Sequence, residues 1–167
     1  MSSVLAYLDL VERSEFQSLP YKVETSASGQ IIMSPHLNIH SAFQRVLERS
    51  LEMLMTDPGV ALPEYAIETS DGVKTPDVVW LTLEELSLAR EVPISKRAPR
   101  ICIEVKSKGN TGEELNRKAQ LYFAAGAQEV WICAMDGGLS FLTVEGPLEH
   151  SGVCPEFPLI VDPFRLR

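Results

Sequence analysis

Arg100-Ile101-Cys102-Ile103-Glu104-Val105-Lys106 is the stretch that decides how this chain is read. It is apolar and β-branched, follows a basic loop from Pro93 to Pro99, and runs into the loop Lys108-Gly109-Asn110-Thr111-Gly112, so it reads as a strand. Side chains alternate faces along a strand. Ile101, Ile103 and Val105 therefore share one face, and Cys102, Glu104 and Lys106 share the other. An acid and a base two residues apart point the same way at the end of an otherwise apolar strand. Burying such charges is costly unless they are paired or hold a metal. Glu104 and Lys106 are thus candidate site residues, weighed against a solvated sheet face, the commoner reason for a Glu-x-Lys pair.

Working outward, Thr75-Pro76-Asp77-Val78-Val79-Trp80-Leu81 is a second β-rich run, with Asp77 at its head. If the two strands are neighbours, Asp77 and Glu104 can share one divalent ion. Hard cations such as magnesium take carboxylate and carbonyl oxygens and keep several waters. A lysine beside such a site can orient the attacking water or stabilise charge on a phosphate. Downstream, Glu113 to Ala125 reads as an amphipathic helix ended by Gly126. Its stripe is Leu115, Ala119, Tyr122 and Phe123, with Lys118 at the edge and Gln120 pointing away. Lys118 and Tyr122, four apart, are neighbours on that surface. Lys118 reads equally as a phosphate-facing lysine and as a snorkelling flank residue.

The remaining periodicity supplies the other elements. Tyr21 to Thr25 and Gln30 to Ser34 flank Ser26-Ala27-Ser28-Gly29, an N-terminal β-hairpin. Ile39 to Met55 is the clearest helix, with Phe43, Val46, Leu47, Leu51 and Leu54 on one stripe. Gln44 and Glu48 lie at its edge and Glu52 nearly opposite, in solvent. His40 sits at the helix entry, where a structural hydrogen bond is as good a reading as a role in a site; His36 reads as a surface loop residue. Val60 to Leu62 and Tyr65 to Thr69 read as short strands before the Asp71-Gly72 turn. Thr82 with Glu85 is a capping-box pattern. Glu129 to Cys133 and Leu139 to Val144 read as strands joined by Asp136-Gly137-Gly138, and Phe157 to Phe164 as a last edge strand. Residues 1–20 read as a leader with a short helix over Val4 to Val11. Trp80 and Trp131, in apolar strands, read as core. The order predicts an α/β fold, a mixed sheet with helices on its faces.

The 167 residues predict one domain, with its core over about 21–165. No apolar run of spanning length occurs, and the start lacks the basic and apolar regions of a secretory signal. Cys102, Cys133 and Cys154, odd in number and widely spaced, read as small hydrophobes in a reducing cytoplasm rather than as a disulfide framework or zinc site. The net charge of −8 opposes tight non-specific binding to nucleic acid. Its distribution is uneven. Arg90 to Lys118 holds eight basic and four acidic residues, net +4, which leaves −12 for the rest.

Pro76-Asp77 followed by Glu104-Val105-Lys106 resembles the PD-(D/E)xK nuclease signature. The stretch from Gly29 through Ser34-Pro35 to His40 looks like the entrance of one bacterial branch, the Uma-two family of small restriction-endonuclease-like proteins. So does Lys118-Ala119-Gln120-Leu121-Tyr122 followed by Gly126 and Glu129-Val130-Trp131. The resemblance spans about residues 20 to 165. It implies a restriction-endonuclease-like core, a central mixed β-sheet flanked by helices, with Mg2+ or Mn2+ between carboxylates. Asp77 and Glu104, with the Val105 backbone carbonyl, would be metal ligands, and Lys106 the catalytic lysine. Members of the family more often carry another residue at the position of Lys106, and the fuller Glu-x-Lys form here favours an intact site. Glu48 matches the extra acidic residue that many members place near the metal, and His40 matches the family's histidine. Lys118 and Tyr122 would be further accessory residues.

The leading expectation is a metal-dependent endonuclease acting on DNA, gripped by a homodimer or with a partner's help. The alternative is a non-catalytic interaction module that keeps the fold. A weaker third reading is a metal-dependent hydrolase of another phosphate ester.

Overall fold

The computed structural model describes residues 2–17, 20–35 and 37–165. His36, read above as a surface loop residue, lies outside the described residues. The chain opens with α1 (Ser3–Glu12) and the short α2 (Ser14–Gln17), then β1 (Tyr21–Thr25) and β2 (Ile31–Pro35). Helix α3 (Asn38–Leu54) leads to β3 (Gly59–Pro63), β4 (Ile67–Thr69), β5 (Gly72–Lys74) and β6 (Val78–Thr82). Then come α4 (Leu83–Leu88), β7 (Ile101–Val105), α5 (Gly112–Ala124), β8 (Glu129–Cys133), β9 (Leu139–Thr143) and β10 (Gly146–Leu148). Strands β5 and β10, three residues each, were not expected from the sequence.

The central sheet has the order β10-β9-β8-β7-β6-β3. Its one parallel pair is β7 with β8, and the other pairs are antiparallel. A parallel pair needs a long crossover, and α5 supplies it between β7 and β8. Alternation along the strands makes two apolar faces. Val78 and Trp80 of β6 and Ile101 and Ile103 of β7 face α3, packing with Phe43, Leu47 and Leu51. Val79 and Leu81 of β6 and Cys102 of β7 face α5, packing with Ala119 and Tyr122. Trp131 is fully buried, its ring 5.0 Å from that of Phe141 and 4.6 Å from that of Phe157. Gly59 is required where β3 crosses β6, because a Cβ there would come within 2.6 Å of the Trp80 indole.

The helix ends follow local chemistry. Thr82 and Glu85 form the expected capping box, and Thr111 with Glu114 forms another at the start of α5. Gly126, at φ +109°, takes the conformation that ends α5. The hairpin of β1 and β2 is a separate two-stranded sheet, as is the pair β4 and β5. The two are tied together through Thr25. Its hydroxyl accepts from the Val73 N–H at 3.0 Å, and its carbonyl accepts from Lys74 Nζ at 2.8 Å.

The expected edge strand over Phe157 to Phe164 does not form. The segment makes one isolated bridge, Gly138 with Ile160. Pro158 and Pro163 lack the N–H groups a ladder needs. The tail is held instead by single contacts, such as the Leu139 N–H donating to the Leu159 carbonyl at 2.8 Å. Nearby, the buried Glu129 carboxylate gathers the chain that leads into the tail. It accepts from Trp131 Nε1, Ser151 Oγ and the Gly152 N–H, each at 2.7 Å, and from the Val153 N–H at 2.9 Å. Among the described residues, no helix is long and apolar enough to cross a membrane.

Replacing Glu129 with leucine would strand four donors, of which Trp131 Nε1 and Ser151 Oγ are buried. Glu129→Leu is expected to lower the unfolding free energy by about 3 kcal/mol or more, read as a shifted midpoint in urea denaturation.

Candidate active site

Strands β6 and β7 pair with Val78 opposite Ile103. That ladder ends there, and Asp77, the next residue, lies beside the end of β7, its N–H donating to the Ile103 carbonyl at 2.9 Å. Both acids are buried, at 1% and 3% exposure. Like charges so placed disfavour each other's ionised forms unless cations intervene. Two lysines from other elements do so. Lys22 of β1 puts Nζ 2.6 Å from Asp77 Oδ1 and 3.5 Å from Glu104 Oε2. Lys118 of α5 puts Nζ 2.8 Å from Glu24 Oε1 and 3.2 and 3.3 Å from the two Glu104 oxygens.

Neutral donors complete the shell. The Tyr122 hydroxyl donates to Glu104 Oε1 at 2.6 Å, and the Val105 N–H donates to Asp77 Oδ2 at 2.7 Å. His40 Nε2, from the first turn of α3, is 3.0 Å from Asp77 Oδ1. One turn on, Gln44 Nε2 donates to the Asp77 carbonyl at 3.2 Å. Glu24 also accepts from the Thr75 N–H at 2.9 Å. Burial alone would raise the Asp77 carboxyl, but Lys22 and His40 overcome it and hold the group well below the usual carboxylate range. Glu24 is lowered likewise, by Lys118 and Lys22 against burial. Burial works to lower the Lys22 ammonium, and Glu104, Asp77 and Glu24 together push it above its ordinary value instead. Burial, with Glu104 beside it, drives the Tyr122 phenol far up.

These groups floor a cavity of about 480 Å³. Ile32 and Met33 of β2 form an apolar wall, and Lys108, Asn110 and Arg117 stand opposite. The loop carrying Lys108 and Asn110 is closed by Asn110 Oδ1, which accepts from the Ser107 N–H and hydroxyl at 3.0 and 2.7 Å, and Arg117 comes from α5.

Of the residues singled out from sequence, the structure brings together Asp77, Glu104, Lys118, Tyr122 and His40. It does not bring Lys106 or Glu48 to them. β7 ends at Val105, and Lys106 is exposed and absent from the cavity lining, where Ser107 takes its place. Glu48 lies eight residues beyond His40, about 12 Å along the helix axis, and is half-buried near Arg45 and Glu52. Gln44 occupies the turn that reaches Asp77. Sequence reasoning passed over Lys22 and Glu24. Their signal was the one that marked Glu104, charges at alternate positions of a short strand, but on β1 it was read only as a hairpin.

The donor set suits a hard divalent ion. The point between Asp77 Oδ1 and Glu104 Oε2 already takes a cationic group, the Lys22 ammonium, and the surrounding side-chain acceptors are oxygens. Among the described residues, no three His, Cys, Asp or Glu side chains are grouped to hold a metal. Two carboxylates completed by water is the magnesium pattern, not a closed protein cage. The residues fit Mg2+ or Mn2+ on one condition, that Lys22 withdraws. The three cysteines are buried and free.

The lowered Asp77 carboxyl makes stability depend on acid. A group depressed in the folded state stabilises it above the unfolded pKa and loses that contribution as pH falls below it. Wild type should therefore lose stability steeply below about pH 4. Asp77→Asn should be less stable at pH 7 and show a shallower acid dependence, measured by urea denaturation across pH.

Residues 13–142 match the family model described as "Uma2: Putative restriction endonuclease". Among solved structures, the chain is similar to "a putative nuclease belonging to DUF820 from Anabaena variabilis ATCC 29413", at 18% identity and a TM-score of 0.62, covering 77% of each chain. That likeness is one of fold. A comparison with curated proteins finds no match. Because the family match covers well over half of the sequence, the chain belongs to the Uma2 family.

Proposed function

We propose that this protein is a metal-dependent nuclease that hydrolyses phosphodiester bonds of DNA, with Mg2+ or Mn2+ as cofactor. One observation carries the reading. Asp77 and Glu104 converge on a single cationic point at the floor of an open cavity whose rim holds further cations. Asp77, Glu104 and the Val105 carbonyl are the proposed metal ligands. A bound divalent ion supplies Lewis acidity and lowers the pKa of water. The protein's own groups orient the ligands: Val105 N–H and His40 hold the two Asp77 oxygens, and Tyr122 holds Glu104. Lys118 faces the cavity beside Glu104 and is placed to meet a phosphate oxygen. The catalytic-lysine role that the Glu-x-Lys motif assigns to Lys106 passes, in this reading, to Lys118.

Affinity for DNA would rest on the +4 segment, whose Lys108, Arg117 and Lys118 line the cavity. A homodimer would present that segment twice. Three buried thiols suit a reducing cytoplasm. A specific observation also favours a second reading, a non-catalytic interaction module. Lys22 already satisfies both carboxylates, and Lys106 is turned out to solvent.

Plasmid and oligonucleotide cleavage with Mg2+ or Mn2+ separates the two. Asp77→Ala and Glu104→Ala are expected to lose at least ~100-fold in rate, and Lys118→Met to lose more than Lys106→Met. Equal cleavage by wild type and Asp77→Ala would mean contamination. No cleavage by wild type with either ion would favour the interaction module.

A further inference from the structure

Lys22 holds the central place in the charge network, although no motif points to it. β1 turns Lys22 and Glu24 inward over the ends of β6 and β7, and the Lys22 side chain is only 9% exposed. Its ammonium lies within 3.5 Å of both Asp77 and Glu104. The neighbouring side chains divide the work. Lys118 pairs with Glu104 and Glu24, and His40 with Asp77. Lys22 alone, among the described ion pairs, joins the two carboxylates that a shared divalent ion would need.

An ammonium and a divalent ion cannot both occupy that point, since they compete for the same oxygens and repel at contact distance. The lysine stem is long and flexible, and Lys22 lines the cavity, so Nζ has room to withdraw without displacement of β1. Backbone donors such as the Val105 N–H cannot withdraw in this way.

We propose that Lys22 is a built-in competitor for the metal site: its ammonium and a divalent ion exclude each other at Asp77 and Glu104, and metal loads only as Lys22 swings into the cavity. The inference rests on the metal-site reading above and adds its regulation. Metal affinity is then set by an exchangeable side chain as well as by the ligands. The chain trades tight metal binding for a site that stays compensated at all times.

The test is Mn2+ binding by isothermal titration calorimetry at pH 7 on the full chain. Lys22→Met is expected to bind at least roughly tenfold more tightly than wild type. Arg117→Met removes a charge from the cavity wall but not from the carboxylates, and should stay near wild type. Equal or weaker binding by Lys22→Met, with wild type still binding, overturns the competition and leaves the metal site standing. The same tightening in Arg117→Met also overturns it, because bulk charge would then explain the effect. Mn2+ binding to none of the three overturns the metal-site reading, and this proposal with it. A second measurement needs no variant. Acetylation of wild-type Lys22 by an N-hydroxysuccinimide ester, read by mass spectrometry against Lys74, should rise several-fold with saturating Mn2+. An unchanged ratio overturns the proposal.

Discussion

Two carboxylates buried side by side need cations, and that requirement arranges one whole end of this molecule. Asp77 and Glu104 are brought together where the ladder of β6 and β7 ends. Once there, they are too deeply buried to be neutralised by water. The hairpin folds over them to deliver Lys22, and α5 runs past them to deliver Lys118 and Tyr122. Glu24 enters as the partner that balances Lys118. Removing one member would leave the others uncompensated, which is far more damaging than the net worth of any single pair. Stability comes mainly from the two apolar faces of the sheet; the charge network specifies what lies above its end.

Glu129 obeys the same rule with a different solution. It too is a buried carboxylate, but its partners are an indole N–H, a hydroxyl and two backbone N–H groups. Three of those donors belong to the segment Ser151 to Val153, which the carboxylate thereby fastens to the sheet. At Asp77 and Glu104 the principal partners are lysine heads on flexible stems beside an open cavity. A backbone donor is a permanent partner, whereas an ammonium can be replaced by another cation. The contrast separates the Glu129 carboxylate from the Asp77–Glu104 pair more clearly than burial does.

Much of this was legible in the residues themselves. The 3.6-residue stripe from Phe43 to Leu54 and the alternation at Ile101 to Val105 gave the helix and strand that the structure has. Asp77 and Glu104 could be paired because both stand at strand ends, and Lys118, Tyr122 and His40 sit where helical spacing could carry them to the pair. Two other candidates lie apart from that pair. Lys106 was placed by the Glu-x-Lys likeness and by carrying the pleat one residue past the end of β7, and Glu48 by the family likeness and its place at the edge of the stripe, which says nothing of height along the axis. The tail read as an edge strand, but Pro158 and Pro163 rule out a ladder.

The sequence by itself determined the longer elements and the chemistry available, because periodicity, capping residues and turn glycines act over a few neighbours. It also determined that a Pro-Asp and a Glu-x-Lys stand at strand ends, where charge needs a partner. Only the tertiary structure decided which cations answer that need. Lys22 lies 55 residues from Asp77, and Lys118 lies 94 from Glu24. Pairings over such distances follow from how sheet, hairpin and helix pack together, and local sequence holds no record of that packing.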